Sequence, residues 1–192
     1  MNTEKQATEK YTRRTQKNDV FILCSPCAFF RGLLSRFTLA LLLCALCISP
    51  ARAGALPDFS LQDLSGNQFH MREHLGKGAV VISFWATWCV PCKQLLTRLE
   101  KLRLDHPGLL VLAVSVDDSS TLAAVKPYIS GKKFGFRVLL DADSKVLKMF
   151  DPDGKLPVTV VADPSGGIVY SRVGYLPGDE KEIRKVVEGM DR

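Results

Sequence analysis

The chain predicts an α/β layer sandwich built on a mixed β-sheet. Three observations point there. Buried-type apolar runs alternate with helix-period segments through the middle of the sequence. The last third reads strand, tight turn, strand, helix, which places antiparallel strands beside parallel ones. The composition, 46% hydrophobic and 24% charged over 192 residues, excludes a collagenous, repeat-dominated or wholly disordered chain. That length suits one domain of ordinary size plus an appendage.

Each element has its own signal. Apolar alternation across residues 57–73 (PDFSLQDLSGNQFHMRE), centred on Ser65-Gly66-Asn67, predicts a β-hairpin. Residues 79–86 (AVVISFWA) form a continuous β-branched and aromatic run, suited to a strand buried on both faces. Directly after it, Leu95, Leu96, Leu99, Leu102 and Leu104 stand largely at helical spacing within residues 92–104, and His106-Pro107-Gly108 stops that helix. Residues 109–116 (LLVLAVSV) predict a second buried strand. Residues 117–120 are expected to cap a helix through about Ile129, with Pro127 breaking or kinking it near its end. A strand at 136–140, a short helix at 144–150 and a strand at 158–162 follow. A Pro-Ser-Gly-Gly turn then leads to a strand at 168–173 and a final helix at 179–190. No internal repeat or low-complexity linker interrupts this order.

Charge is unevenly spread. Residues 1–53 hold eight Lys/Arg and three Asp/Glu, whereas residues 54–192 hold eighteen and seventeen. The net +6 therefore sits mostly in the N-terminal segment. It argues for targeting, and no nucleic-acid partner is expected. Residues 37–49 (FTLALLLCALCIS) are a thirteen-residue apolar run, preceded by Arg31 and Arg36 and followed by Ala51-Arg52-Ala53. That is the pattern of a secretory signal cleaved after Ala53, and it is short for a bilayer span of about 20 residues. Residues 1–53 are thus expected to be a signal peptide, with an uncleaved signal anchor as the alternative, and residues 54–192 the folded domain. Arg13-Arg14 lies too far from the apolar run for twin-arginine export, and no leader cysteine sits in a lipoprotein cleavage box. A periplasmic or otherwise extracytoplasmic location follows.

The six cysteines form three C-x-x-C pairs: Cys24/Cys27, Cys44/Cys47 and Cys89/Cys92. The first two pairs match zinc-ribbon spacing, but the apolar leader between them could not supply the polar turns that four thiolates need. None of the pairs is followed by His, so none is a c-type haem attachment site. Cys89 and Cys92 alone would remain after cleavage.

A lone C-x-x-C is compatible with a zinc knuckle, a structural disulfide or a redox pair. Its context here separates them. Phe84-Trp85-Ala86-Thr87-Trp88-Cys89 runs from a buried strand into the first turn of an amphipathic helix. A thiol at a helix N-terminus sees unpaired N–H groups and the positive end of the helix dipole, both of which favour thiolate. Cys89 is therefore expected to be the nucleophile and Cys92, one turn on and more buried, the resolving thiol. Pro91 suits a first-turn position because its missing N–H would have had no intrahelical partner, and Lys93 adds positive charge nearby. A purely structural disulfide is disfavoured, since so short a ring removes little unfolded-state entropy.

The stretch FWATWCVPCK at residues 84–93 resembles the thioredoxin superfamily, specifically its exported TlpA/ResA-like branch. The resemblance runs from about Leu56 to Met190 and includes the PDFSLQDLSGNQF opening. It implies a thioredoxin-like three-layer α/β/α sandwich with an N-terminal β-hairpin and a central β-strand/helix insertion at about residues 119–140. Leu156-Pro157-Val158-Thr159 resembles the family's cis-proline loop. A cis bond there would bring the backbone of Leu156 against the disulfide, where a partner chain can pair as a strand; position alone equally allows a trans proline opening a strand. Trp88, Val90, Pro91, Leu156 and Pro157 are accordingly the expected substrate-binding residues. The chain departs from the family at three places. Ser83 stands where cytoplasmic thioredoxins carry a buried Asp, and Leu95 where many ResA-like proteins carry a Glu, so no carboxylate is assigned as proton shuttle. The motif helix also lacks the family's frequent kinking proline.

The resemblance implies a monomeric protein-disulfide reductant. Its partners would be protein thiols and disulfides, such as apocytochrome c or copper-site proteins, with a membrane electron donor. The redox-active disulfide is the whole of the expected chemistry, with no cofactor and no metal. His70, His74 and His106 lack metal-ligand spacing, and Asp141/Asp143 and Asp151/Asp153 read as caps and Asx-turns. Trp85 reads as core and Trp88 as an apolar rim. Two alternatives remain. A peroxiredoxin would resemble P-x-x-x-T-x-x-C, but Thr87 is two residues before Cys89 and position 82 is Ile. A copper-binding chaperone of the same fold would need a further His near the pair.

Overall fold

The computed structural model describes residues 53–190. The leader through Arg52, which includes Ala51 and Arg52 of the Ala51-Arg52-Ala53 cleavage site, and the Cys24/Cys27 and Cys44/Cys47 pairs lie outside the described residues. In chain order the strands and helices are β1 (Ala53–Ala55), β2 (Ser60–Asp63), β3 (Gln68–His70), β4 (Val80–Trp85), α1 (Val90–Asp105), β5 (Leu110–Ser115), α2 (Val125–Lys132), β6 (Arg137–Leu140), α3 (Leu147–Phe150), β7 (Val158–Ala162), β8 (Gly167–Val173) and α4 (Asp179–Met190). Short 3-10 turns at Met71–His74 and Leu122–Ala124 complete the order. No helix among the described residues is long and apolar enough to cross a membrane.

The strands form one mixed sheet in the order β1-β8-β7-β4-β5-β6-β2-β3. β4 pairs in parallel with β5, and β5 with β6, so helix-bearing crossovers join them. β7 joins β4 antiparallel, and β8 joins β7. All six side chains of β4 are buried because both faces of the sheet are covered. Val81 and Trp85 point to the face packed by Leu95, Leu96 and Leu99 of α1, Val125 and Ile129 of α2, and Ile183 and Val187 of α4. Val80, Ile82 and Phe84 point to the other face, under Phe59, Phe69, Met71, Val146 and Leu147. The fold is thioredoxin-like and α/β, with a helical layer on that second face reduced to α3 and a 3-10 turn.

Most predicted elements stand within a residue or two of their expected bounds. α1 opens two residues earlier than its leucine pattern suggests, because Pro91 is accommodated in its first turn. Pro127 does not break α2. It falls in that helix's first turn, where no intrahelical partner awaits its nitrogen, and the helix runs on to Lys132. The cap expected across residues 117–120 is not made: α2 and the 3-10 turn before it start without a side-chain cap, and the Asp118 carboxylate instead closes a turn by accepting from the backbone N–H groups of Ser120 and Thr121. Asp117 points inward. β1 was not foreseen; its residues pair antiparallel with the start of β8, Ala53 opposite Ile168 and Ala55 opposite Gly167. Gly78 permits the close approach that starts β4: a Cβ there would lie 2.6 Å from the Gly108 carbonyl oxygen.

Candidate active site

Parallel strands β4 and β5 end side by side, and the chain leaves β4 to enter α1 at that end. Val116 N–H donates to the Trp85 carbonyl at 2.9 Å, which holds the two strand ends together. Cys89 N–H donates to the Ala86 carbonyl at 3.0 Å, folding residues 86–89 into a turn. Cys89 is the N-cap of α1, with extended φ and ψ of −84° and 102°. Its sulfur accepts the Cys92 N–H at 3.3 Å, in the place a Ser or Asp oxygen takes in ordinary caps. No acidic residue occupies the first turn of α1, so nothing there offsets the positive end of the helix.

Cys89 and Cys92 are joined in a disulfide, with Cα atoms 5.3 Å apart. Cys92 is 0% exposed and Cys89 6%. Cys89 is therefore less open than the sequence suggests, because the bridge faces into the core cluster and shows solvent only one edge. The surface around that edge is apolar: Trp88 is 62% exposed and Val90 61%. Pro91 is likewise exposed in the first turn. Trp85 is core, as expected, with its ring 5.4 Å from that of Tyr128. Lys93 does not aim at the sulfurs; its Nζ lies over the Tyr128 ring, 5.7 Å from the centroid. Burial holds the Tyr128 phenol above its ordinary value of 10.0, so the ring beneath that cation stays neutral.

The Leu156-Pro157 peptide bond is cis. Leu156 packs against the core cluster that contains both cysteines. The Pro157 carbonyl accepts the Gly174 N–H at 2.7 Å, which draws the loop after β8 alongside. That loop carries Leu176, exposed and apolar, a residue the sequence pattern did not single out.

Two further features lie close to the site. On the face beneath α1, Ser83 of β4 stands opposite Thr159 of β7. Both are buried, and neither hydroxyl has a hydrogen-bond partner among the described residues; Trp85 Nε1 and Tyr170 Oη are in the same condition. Such groups cost about 1–3 kcal/mol each when left unpaired. The second feature is Asp117, fully buried just after β5. Its carboxylate accepts the Thr87 N–H at 2.9 and 3.2 Å, the Thr87 hydroxyl at 2.5 Å and the Ser115 hydroxyl at 2.8 Å.

The other candidates are structural. His70 bonds the Ser60 hydroxyl, and His74 stacks on Phe69. Asp141 accepts from the N–H groups of Val146 and Leu147 at the start of α3; burial raises its pKa although these two bonds oppose the shift. Asp143 pairs with Lys145 and Asp153 with Lys155, while Asp151 accepts the Lys155 N–H. Among the described residues no group of three His, Cys, Asp or Glu side chains could hold a metal ion.

A thioredoxin-type sheet that presents a C-x-x-C disulfide at a helix N-terminus defines a dithiol redox protein. The sequence model of the AhpC/TSA family matches residues 53–171, and the chain belongs to that family. Among its relatives is the thiol-disulfide oxidoreductase ResA of Geobacillus thermodenitrificans, 31% identical over 142 residues, which are 70% of this chain and 75% of the relative. Two solved structures share the fold. The first is a thiol:disulfide interchange protein DsbE from Chlorobium tepidum, with a TM-score of 0.64, 22% identity and 71% and 94% of the two chains covered. The second is a secreted disulfide oxidoreductase of Mycobacterium tuberculosis, with a TM-score of 0.57, 21% identity and 68% and 95% covered. The chain is a thiol-disulfide oxidoreductase of the ResA type.

Proposed function

We propose that the protein acts outside the cytoplasm as a reductant of protein disulfides, with Cys89 as attacking thiol and Cys92 as resolving thiol. The observation that carries the assignment is the asymmetry of the pair: Cys89 caps α1, receives a backbone N–H on sulfur and keeps the only exposed edge, whereas Cys92 is wholly enclosed. A thiolate at Cys89 attacks one sulfur of a substrate disulfide, and the other substrate sulfur leaves and takes up a proton. The Cys92 thiolate then attacks the Cys89 sulfur and displaces the first substrate thiol. Two electrons have passed to the substrate, and the protein is left as its Cys89–Cys92 disulfide. A membrane dithiol donor must return those electrons, because extracytoplasmic compartments are kept oxidising. The couple needs no other cofactor.

Trp88, Val90, Pro91 and Leu176 are the exposed apolar side chains offered to a substrate chain, with Leu156 half-buried and Pro157 buried in the cis-proline loop. An extended cysteine-containing polypeptide fits an apolar rim of this kind; apocytochrome c and copper-site proteins are the substrate classes the family resemblance suggests. Equilibration with glutathione buffers tests the direction. The potential is expected nearer about −270 mV than about −120 mV. A value at the oxidant end, in a protein that also oxidises reduced substrates, would make it a disulfide-forming catalyst instead.

The location rests on the basic-apolar-AxA leader, residues 1–53, ahead of the domain at 54–192, and on the secreted relative. N-terminal sequencing of protein taken from its native envelope is expected to begin at Gly54, within β1. Recovery of residues 37–53 on a membrane-bound form would establish the signal anchor instead. A peroxidase reading finds no support in the site, since the Thr87 hydroxyl is committed to Asp117.

A further inference from the structure

Asp117 belongs to neither cysteine's helix, yet it is the group that holds the approach to Cys89. Both of its oxygens act as acceptors. Thr87 N–H lies within bonding distance of each, the Thr87 hydroxyl donates to one, and the Ser115 hydroxyl donates to the other. Ser115 is itself fixed, since its side-chain oxygen also accepts the Asp117 N–H at 3.2 Å. The carboxylate thus ties the end of β5 to the β4–α1 turn two residues before the redox sulfur. All its donors are neutral, and among the described residues no cation forms an ion pair with it. A wholly buried carboxylate without a counter-cation is costly to keep for packing alone. Its charge is buried and hydrogen-bonded to Thr87, and Thr87 stands two residues before a sulfur that becomes anionic when the disulfide opens. There the interaction of like charges is poorly screened.

We propose that Asp117 is a positioning residue that also sets the redox potential: through Thr87 it fixes the turn carrying Cys89, and its charge disfavours the Cys89 thiolate. The helix terminus and the Cys92 N–H pull the couple toward the thiolate, and hence toward the oxidising end. Asp117 opposes them and holds the couple toward the reducing end. This rests on the reading of Cys89 as the thiol that ionises.

Three variants of the full chain separate the two roles. Asp117→Asn removes the charge and leaves an oxygen for Thr87 N–H, while the rotatable hydroxyls can turn to accept. It is expected to shift the equilibrium constant with glutathione about tenfold toward the dithiol, a rise of about 30 mV. Thr87→Val keeps the charge but cuts the hydroxyl tether. It is expected to leave the potential in place and slow mixed-disulfide formation severalfold. Asp117→Ala should show both effects. The idea is overturned if Asp117→Asn and the parent agree within twofold in that constant, or if Thr87→Val shifts it as far as Asp117→Asn does. Should Asp117→Asn fail to fold, the Thr87→Val outcome still decides: an unchanged rate rejects the tether. The midpoint belongs to the dithiol couple whichever sulfur attacks. An attack through Cys92 would undo the mechanism proposed above and remove the rate effect of Thr87→Val, while the Asp117→Asn comparison of midpoints would still be read on the couple as a whole.

Discussion

Cys92→Ser is expected to turn a catalyst into a trap. Attack by Cys89 on a substrate disulfide would still form the mixed disulfide, but no second thiol would resolve it. Covalent adducts should accumulate on Cys89, readable by intact mass and by non-reducing gels. In Cys89→Ser the remaining thiol is the one with no exposed surface, so trapping should vanish. Turnover should fall by several orders of magnitude in either variant, because the two thiols work as a unit whose separate losses are not additive. Adducts on Cys92 in the Cys89→Ser protein, at a yield comparable to the other trap, would reverse the roles.

The second large effect concerns stability. Trp85 is fully buried at the end of β4 under α1, and its ring packs on Tyr128. Trp85→Ala removes the largest fully buried side chain of the domain and is expected to cost about 3–5 kcal/mol, measured as a shift of the urea midpoint at constant slope. Trp85→Phe should cost much less than that. It leaves a smaller cavity, and it removes an indole N–H that has no partner among the described residues, a group whose burial costs about 1–3 kcal/mol. If the two variants unfolded at the same urea concentration, the indole would not be the packing element described here.

The redox pair and the sheet around it were legible because their signals are local. AVVISFWA, the leucines of α1 and the cysteines at its first turn are read within a window of some twenty-five residues, and they fold as they read. What stayed hidden depends on partners far along the chain. Asp117 looked like one of two equivalent capping carboxylates in Asp117-Asp118-Ser119-Ser120. Only the parallel register of β4 and β5 shows that Asp117 meets Thr87, thirty residues earlier, while Asp118 closes a local turn and caps no helix. β1 escaped because Ala53-Gly54-Ala55 carries no periodicity, and it is a strand only because β8 offers an edge. Pro127 misled for another reason. The same residue ends a helix or starts one, and which it does here follows from where the 3-10 turn before it places the first helical N–H.

β1 and β2 lie near opposite ends of the strand order, six spacings apart, yet only residues 56–59 join them. Laid flat, six spacings would measure about 29 Å. The five peptide steps from Ala55 to Ser60 reach about 18 Å at most. The sheet must therefore be coiled, hollow on the side where Leu56 and Phe59 are buried. Those four residues work as a bowstring across it, made fast at both ends where Leu56 N–H reaches the Gly166 carbonyl and Met71 N–H reaches that of Phe59. A string this short tolerates lengthening better than shortening. Extra residues would cost little more than loop entropy, whereas a deletion must either tighten the curl or pull out an end. The end to yield would be the three-residue strand β1, to which everything before Ala53 is attached.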